Sequence, residues 1–242
     1  MQAIKTINLT KRYRDITATD QLSLEIENGE LFSVLGVNGA GKTTAIRMLS
    51  CLTEPTEGEA FILGHNIKED RGRVKELIAV SPQETAIAPN LSVRENLELI
   101  CRIHGFDRYR CEEKIRGLGA LMGLGDILTR RAGKLSGGWQ RRLSIAMALI
   151  SEPSVLFLDE PTLGLDVIAR SELWDIIRSL KGKVTILLTT HYMEEAEALS
   201  DRIGIMKNGK LLVVGTPQEL IKMSGEDKFE NAFISIVREG GI

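Results

Sequence analysis

A glycine-rich stretch, residues 36–44, lies between an apolar run and a helix-like segment. The stretch reads G-V-N-G-A-G-K-T-T, the apolar run before it covers residues 31–35, and the helix-like segment covers residues 45–49. Strand, glycine loop and helix in this order form the context in which G-x-x-x-x-G-K-[ST] binds phosphate groups. Glycine permits backbone angles that are closed to other residues, so successive N–H groups can point into one concavity where the helix begins. The pattern therefore predicts a nucleotide-binding loop in an α/β fold.

Two side chains of this loop have expected roles of their own. Lys42 can reach the β- and γ-phosphates of a nucleoside triphosphate, and the Thr43 hydroxyl can ligate Mg²⁺. The alternative is a glycine-rich turn that carries a chance Lys-Thr pair. The predicted phosphate-binding residues are Gly36, Val37, Asn38, Gly39, Ala40, Gly41, Lys42, Thr43 and Thr44.

Composition limits the class of protein. The chain has 242 residues, of which 43% are hydrophobic, enough for a full core in one compact domain. Its net charge of −2 argues against a nucleic-acid protein held mainly by phosphate contacts. No apolar run approaches the ~18 residues of a membrane-spanning helix, and the N-terminus lacks the apolar core of a signal peptide. We therefore expect a soluble cytosolic protein, unless a partner holds it at a membrane.

The order of strand-like and helix-like segments predicts one domain with several parts. Residues 1–30 alternate in the manner of antiparallel strands. Residues 1–84 and 151–216 together form an α/β core in which strands alternate with helices, which indicates a mainly parallel sheet. Residues 85–150 look helical, and residues 217–242 look like one or two short outer helices. The expected fold is a P-loop NTPase core with an N-terminal antiparallel β subdomain and an inserted α-helical subdomain.

Within the helical region, residues 137–150 have the pattern of an amphipathic helix. Gln140 and Arg141 are expected on a different face from the apolar residues. The apolar face comprises Trp139, Leu143, Ala146, Met147 and Ile150.

Polar side chains follow three other predicted strands. Gln83, the pair Asp159-Glu160, and His191 each come directly after or close to the end of such a strand. Ligands of parallel α/β sheets bind at the carboxyl ends of the strands, so these residues and the glycine loop are expected to converge on one crevice.

The chemistry of these side chains is complementary. Asp159 can hold Mg²⁺ through water, and Gln83 can ligate the metal and sense the attacking water. Glu160 can orient or activate that water beside the γ-phosphate, to which His191 can donate a hydrogen bond. Taken singly, the carboxylates have the alternative of being solvated, and the histidine of being a satisfied buried side chain.

A second anion site is predicted at the sequence L-S-G-G-W-Q. There Ser136, Gly137 and Gly138 open a helix whose first N–H groups are free to bind an anion. One nucleotide cannot easily use both this site and the glycine loop of the same chain. The economical arrangement is a head-to-tail homodimer with two ATP sites, in which Ser136 and Gly138 of one chain close on the γ-phosphate held by the other.

With these residues the chain resembles, over nearly its whole length, the ATP-binding subunits of ABC transporters. The loop at residues 36–44 resembles the Walker A motif, S-P-Q the Q-loop, L-S-G-G-W-Q the signature, V-L-F-L-D-E the Walker B motif, P-T-L-G-L-D the D-loop and T-T-H-Y the H-loop. The resemblance implies ATP and Mg²⁺ as ligands, with Glu160 as the catalytic carboxylate and Asp166 helping to couple the two sites. It also implies that Tyr13 stacks on adenine, although propensity alone favours an ordinary strand aromatic.

Two residues depart from the family pattern. Val37 stands where proline is usual, which removes no N–H group from the loop. Trp139 replaces the commoner glutamine of the signature, and it can either face the nucleotide held by the partner or pack internally.

The segment H-Y-M-E-E-A-E-A-L-S-D-R and the tail at residues 229–234 are similar to the branch that serves drug, sodium and polysaccharide exporters. The resemblance implies an ATP-hydrolysing subunit, peripheral at the cytoplasmic face of the cell membrane, with separately encoded membrane subunits and no nucleic-acid partner. The alternative is a soluble ABC-type ATPase that acts on ribosomes or DNA. A kinase or GTPase of the P-loop class leaves L-S-G-G-W-Q unexplained.

Overall fold

The computed structural model describes residues 1–241. The strands are β1 (Gln2–Tyr13), β2 (Ile16–Glu27), β3 (Leu31–Leu35), β4 (Glu57–Ile62), β5 (His65–Asn66), β6 (Ile78–Ser81), β7 (Val155–Asp159), β8 (Thr185–Thr190), β9 (Arg202–Lys207) and β10 (Lys210–Gly215). The helices are α1 (Lys42–Leu49), α2 (Arg71–Leu77), α3 (Val93–Ile103), α4 (Arg108–Leu121), α5 (Gly137–Leu149), α6 (Val167–Leu180), α7 (Met193–Leu199), α8 (Pro217–Ser224) and α9 (Phe229–Glu239).

The strands within residues 1–241 form two sheets. One is antiparallel and has the order β2-β1-β4-β5. The other has the order β10-β9-β3-β8-β7-β6, in which the strands from β9 to β6 are parallel and β10 is an antiparallel edge. The expected fold class, an antiparallel β part beside a mainly parallel α/β core with added helices, is confirmed.

The central strands of the parallel sheet are buried along their whole length. Every residue of β3, β7 and β8 is buried, as expected of parallel strands that are covered on both faces. The register pairs Asp159 at the end of β7 with Thr189 near the end of β8. Polar residues that follow these strands therefore emerge at the same edge of the sheet.

The helical region shares a core with this sheet. Ser92 begins α3 with a capping box, in which its side chain accepts from the Glu95 N–H and the Glu95 carboxylate accepts from the Ser92 N–H. Beneath the helices, apolar residues such as Leu97 and Leu143 lie in one cluster with Leu156 of β7. Because the cluster is continuous, the helical region packs directly against β7, the strand that ends at Asp159.

Helix α5 differs from the amphipathic pattern that the sequence indicates. Arg141 is only 5% exposed, and the guanidinium of this residue donates to the carbonyls of Pro82 and Gln83. Arg142 is also buried, and it donates to Glu172. Because both arginine side chains are buried and each finds an acceptor, α5 is covered on both sides. The expectation that Arg141 lies on a face apart from the packed one is therefore wrong.

Between β10 and residue 241 the chain forms two helices, α8 and α9. Phe229, Phe233 and Ile236 of α9 pack in a cluster with Ala196 of α7 and Ile205 of β9. Among residues 1–241, none of the helices combines the length and the apolar character needed to cross a bilayer.

Candidate active site

The loop between β3 and α1 needs glycine at two close approaches. At Gly41 the backbone is left-handed, with φ of 102°, and a Cβ there would lie 2.3 Å from the Ala18 carbonyl oxygen. A Cβ at Gly36 would lie 2.4 Å from the Met206 carbonyl oxygen. Side chains are therefore excluded at both positions, and the loop is held tightly against β2 and β9.

Lys42 is the buried cation of this loop. Its Nζ donates to the carbonyls of Gly36 at 2.6 Å and Val37 at 3.3 Å, and it lies 3.0 Å from Glu160 Oε1. The side chains of Lys42 and Glu160 are 6% and 7% exposed. At Val37 the loop uses only the backbone carbonyl, so the absence of proline costs none of these contacts.

Glu160 lies at the centre of the site. Its Oε2 lies 2.7 Å from His191 Nδ1, opposite its contact with Lys42. The Glu160 backbone is left-handed, with φ of 49°, which is unusual for a residue with a side chain. Its N–H donates to both the carbonyl and the hydroxyl of Thr189, which holds this conformation. The carboxylate is thus fixed by the backbone and aimed between two basic side chains.

Asp159, one residue earlier, is oriented by two hydroxyl groups. Its Oδ1 accepts from Thr43 at 3.1 Å and from Thr189 at 2.6 Å. Oxygen ligands of this kind suit Mg²⁺. The carboxylate of Asp159 and the hydroxyl of Thr43 lie together next to the glycine loop, so this set of donors fits the metal that accompanies a nucleotide.

Lys42, Thr43, Glu160 and His191 border one cleft of about 700 Å³, whereas Gly36, Val37 and Asp159 do not line it. It is lined by Ile16, Thr17, Ala18, Asn38, Gly39, Ala40, Gly41, Lys42, Thr43, Thr44, Gln83, Glu160, Leu163, His191 and Asn208. The structure therefore brings together the loop, Gln83, Glu160 and His191, which are far apart in the sequence. A cleft with backbone N–H groups, a buried cation and a helix N-terminus at one end fits a polyphosphate.

Tyr13 lies at the edge of this arrangement. It ends β1, is 44% exposed, and pairs across the hairpin with Ile16, which does line the cleft. Lys11 Nζ lies 5.1 Å from the centre of the tyrosine ring. The ring is available to a ligand at the cleft mouth, although it does not line the cleft itself.

Five lining residues were missed by sequence reasoning: Ile16, Thr17, Ala18, Leu163 and Asn208. Asn208 stands in the turn between β9 and β10, and its neighbour Gly209 donates to the Ala40 carbonyl and accepts from the Asp20 N–H. Asn-Gly is a typical hairpin turn. No local pattern indicates that this turn meets the glycine loop.

The second predicted anion site lies apart from the cleft. Ser136 and Gly137 are exposed and Gly138 is half-buried, and none of them lines the cleft. Ser136 is the N-cap of α5, but its side chain makes no capping hydrogen bond with any described residue. The first turn of α5 is therefore open to an outside ligand. Asp166 is exposed and caps α6 by accepting from the Ala169 N–H at 2.9 Å.

Trp139 packs internally. It is half-buried against the cluster beneath the helices, and the Arg142 guanidinium lies 4.7 Å from its ring centre. Of the two alternatives for this departure from the family pattern, the structure favours packing.

A buried carboxyl group lies behind the site. Glu195 of α7 is fully buried, and its Oε1 accepts from Trp174 Nε1 at 3.1 Å. Among the described residues, neither Glu195 Oε2 nor the buried hydroxyl of Thr162 has a hydrogen-bond partner. Burial raises the pKa of Glu195, and the nearby charge of Glu160 acts in the same direction. Protonation of this group is therefore favoured relative to an exposed glutamate.

Comparison with known proteins identifies the family. Residues 19–163 match the family model described as ABC transporter. The probable multidrug ABC transporter ATP-binding protein YbhF of Escherichia coli (strain K12) is 38% identical over 98% of this chain and 42% of its own length. The daunorubicin resistance ATP-binding protein DrrA3 of Streptomyces coeruleorubidus is 41% identical over 99% of this chain and 75% of its own. The chain thus spans less than half of the first relative and three quarters of the second.

Solved structures agree with the sequence relatives. The structure described as the ATP binding subunit of an ABC transporter superposes with a TM-score of 0.86 and 25% identity, over 97% of this chain and 99% of that one. A dimeric, post-hydrolysis structure of the ATP-binding cassette MJ0796 with ADP and Pi has a TM-score of 0.78 and 27% identity, over 88% of this chain and 98% of that one. From the motifs, the geometry and these relatives together, the chain belongs to the ABC transporter family, in which it corresponds to the ATP-binding domain.

Proposed function

We propose that this chain binds ATP with Mg²⁺ and hydrolyses it as a head-to-tail dimer, to drive export through membrane subunits on other chains. The observation that carries the proposal is the meeting of Lys42, Glu160 and His191 in one cleft beside the Thr43–Asp159 pair. Relatives whose names refer to multidrug transport, daunorubicin resistance and Nod factor export support the exporter assignment.

Nucleotide binding divides between two ends of the cleft. The glycine loop and Lys42 hold the phosphates, while Tyr13 stacks on the adenine at the mouth. Thr43, Asp159 and Gln83 would hold Mg²⁺, which would supply positive charge that neutralises the phosphates. The 3.1 Å contact between Thr43 and Asp159 supports this assignment, because it brings two oxygen ligands of the metal together.

Hydrolysis then depends on Glu160. Its carboxylate accepts a hydrogen bond from the attacking water and orients it in line with the γ-phosphorus. When the nucleotide is bound, the Lys42 ammonium pairs with the phosphate instead of with Glu160. His191 donates a hydrogen bond that restrains the γ-phosphate or the water. Positioning and electrostatic stabilisation account for catalysis, since no covalent intermediate with the protein is needed.

The proposed dimer is supported by surfaces that are exposed in the single chain, namely the first turn of α5 and the residues around Asp166. Ser136, Gly137 and Gly138 of one chain close on the γ-phosphate held by the other, and Asp166 helps to couple the two sites. Around Asp166, the apolar side chains of Val167 and Ile168 are 78% and 72% exposed. Apolar surface beside a binding site is typical of a protein interface, and a symmetric pair covers it twice.

The membrane partner docks on the helical subdomain, which we place at residues 85–150 of a single domain. Exposed apolar side chains there support this surface: Ile103 is 69% and Tyr109 is 82% exposed. Docking places the protein at the cytoplasmic face of the membrane. The net charge of −2 disfavours the alternative of an ATPase that acts on ribosomes or DNA.

Purification of the tagged chain from detergent-solubilised membranes tests this function. We expect a polytopic membrane protein to co-purify, and Ile103→Asp to lose that protein while ATP binding is retained. A membrane protein that Ile103→Asp retains would contradict the docking surface. Co-purified ribosomes or DNA in place of a membrane protein would overturn the transport function itself.

A further inference from the structure

Arg141 is a buried cation that holds backbone carbonyls and forms no ion pair among the described residues. Two nitrogens of its guanidinium donate to the carbonyls of Pro82 and Gln83, each at 2.6 Å. Arg142, by contrast, pairs with Glu172. Burying a charge costs free energy unless hydrogen bonds compensate for it. The two short, charge-assisted bonds of Arg141 are therefore strong restraints on the chain that carries Gln83.

A carboxylate acts on the charge of Arg141 from a distance. Burial lowers the pKa of the guanidinium, whereas the negative charge of Asp159 favours its protonated form. Asp159 is the carboxylate that we assign to Mg²⁺. Arg141 thus interacts through its charge with the carboxylate assigned to the metal, while its guanidinium holds the backbone of Gln83.

The chain that carries Gln83 continues from β6 without regular structure, and Ile87 near its far end packs against the cluster beneath the helices. Residues 82–88, which we call the Gln83 segment, follow β6 without helix or strand, and the Gln83 side chain is exposed. At its far end, Ala88 exchanges two hydrogen bonds with the Asn96 amide, at 2.8 and 3.1 Å. The segment is therefore fixed to α3 at one end and, through Arg141, to α5 at the other.

Helix α5 connects this restraint with the second anion site. Ser136 is its N-cap and Arg141 lies in its second turn, with no break between them. A continuous helix moves as one element, so a displacement of its N-terminus displaces Arg141 as well. The carbonyls of Pro82 and Gln83 follow, because Arg141 holds both.

We propose that Arg141 is a positioning residue that couples the two nucleotide sites of the dimer. It ties Gln83, which serves the nucleotide of its own chain, to the helix whose first turn receives the nucleotide of the partner chain. This inference rests on the proposed head-to-tail dimer. Lysine cannot replace Arg141 fully, because one ammonium group does not reproduce the two-pronged contact with adjacent carbonyls.

Limited proteolysis tests the restraint without nucleotide or metal. A glutamate-specific protease should cut after Glu84, in the Gln83 segment, about tenfold faster in Arg141→Gln, which corresponds to the loss of about one net hydrogen bond. Cutting after Glu69, also exposed, serves as the reference within each digest. Arg142→Gln is the matched control, because it removes a buried arginine of the same helix whose contacts lie elsewhere. An unchanged rate at Glu84 in a folded Arg141→Gln chain would overturn the restraint.

A double-mutant cycle with Gln83→Ala tests the coupling. We expect Arg141→Gln to lower kcat for ATP about 10- to 100-fold with little change in KM, as for loss of positioning, and Arg141→Lys to recover part of it. In the Gln83→Ala background, Arg141→Gln should cause no further loss. Fully multiplicative losses would show that Arg141 acts independently of Gln83. If the wild-type chain hydrolyses no ATP, the proposed function fails while the proteolysis still decides the restraint.

Discussion

At the Glu160 side chain, one carboxylate faces two basic groups. Lys42 lies 3.0 Å from one oxygen and His191 lies 2.7 Å from the other. A carboxylate between two donors has a defined rotation, and here the left-handed backbone restricts it further. The position of a single oxygen atom thus depends on a strained residue, a loop lysine and a histidine from the neighbouring strand end.

Replacing Glu160 by glutamine should leave ATP binding intact and lower turnover by about 10²- to 10⁴-fold. The amide keeps the shape of the carboxylate but cannot accept a proton from water. We also expect an ATP-bound dimer to accumulate. An ATPase assay measures the turnover, and size-exclusion chromatography in the presence of ATP detects the dimer. Glu194→Gln, at an exposed position of α7, is the control. Near-normal turnover in Glu160→Gln would remove Glu160 from the catalytic role.

Replacing Tyr13 by alanine should weaken ATP binding by ~1–3 kcal/mol, the usual range for stacking a base on an aromatic ring. Tyr13→Phe keeps the ring and should bind nearly as the wild type does. Calorimetric titration with ATP measures both. Equal affinity of Tyr13→Ala and wild type would make Tyr13 an ordinary residue of the β1–β2 hairpin.

The first turn of helix α5 is open to an outside ligand. Substitutions in this turn should therefore affect hydrolysis only in the dimer. Ser136→Ala and Gly138→Asp should impair hydrolysis while the affinity of the monomer for nucleotide changes little. A Cβ at Gly138 would lie 3.0 Å from the Ala169 Cβ. Gly138→Ala adds this Cβ without a charge, so it serves to separate the crowding in Gly138→Asp from the effect of its carboxylate. Loss of nucleotide affinity in the isolated monomer would contradict the assignment of Ser136 and Gly138 to the partner's site.

Helix α7 carries a carboxyl group whose raised pKa makes stability depend on pH. The unfolded chain releases the proton of Glu195 near the ordinary value of 4.5, whereas the folded chain retains it to higher pH. Raising the pH from 4.5 through the folded pKa therefore destabilises the folded state. Glu195→Gln removes this effect, and its amide can donate to the unpartnered Thr162 hydroxyl.

We expect Glu195→Gln to raise the free energy of unfolding at pH 8 by about 1–2 kcal/mol, the scale of a satisfied buried polar group. The difference should shrink as the pH falls toward 4.5, since both chains then carry a neutral group. Urea unfolding at several pH values measures this. If the difference in the free energy of unfolding between Glu195→Gln and the wild type grew at low pH, the predicted direction of the pH dependence would be wrong.

Elements with strong local patterns could be predicted from the sequence. The bounds of β3 match the apolar run at residues 31–35, and the capping box at Ser92 begins α3. Polar residues at strand ends were placed together correctly, because parallel strands share one carboxyl edge. The burial of Arg141 could not be predicted, since its acceptors are backbone carbonyls with no sequence signature. Ile16 and Asn208 reach the cleft through contact between two sheets, which no periodicity indicates.

For the whole molecule, the exposed apolar surface around Asp166 should control assembly and not folding. Val167→Asp places a charge at a position that is 78% exposed, so stability should change by no more than about 0.5 kcal/mol. In a Glu160→Gln background it should abolish the ATP-dependent dimer seen by sedimentation. Ser179→Asp, which adds the same charge at an exposed position farther along the same helix, is a control for general effects on α6. A dimer that tolerates Val167→Asp would exclude this surface from the interface.

The β9–β10 turn has a consequence for the exchange of spent nucleotide. Gly209 bonds both to Ala40 of the phosphate loop and to Asp20 of β2, so the adenine end and the diphosphate end of the cleft belong to one rigid frame. ATP and ADP share the contacts of this frame except the one between Lys42 and the terminal phosphate. In the proposed dimer, that phosphate would also meet Gln83, His191 and the second chain, which lie outside the frame. ADP should therefore remain bound after phosphate leaves, and its departure should follow the opening of the pair.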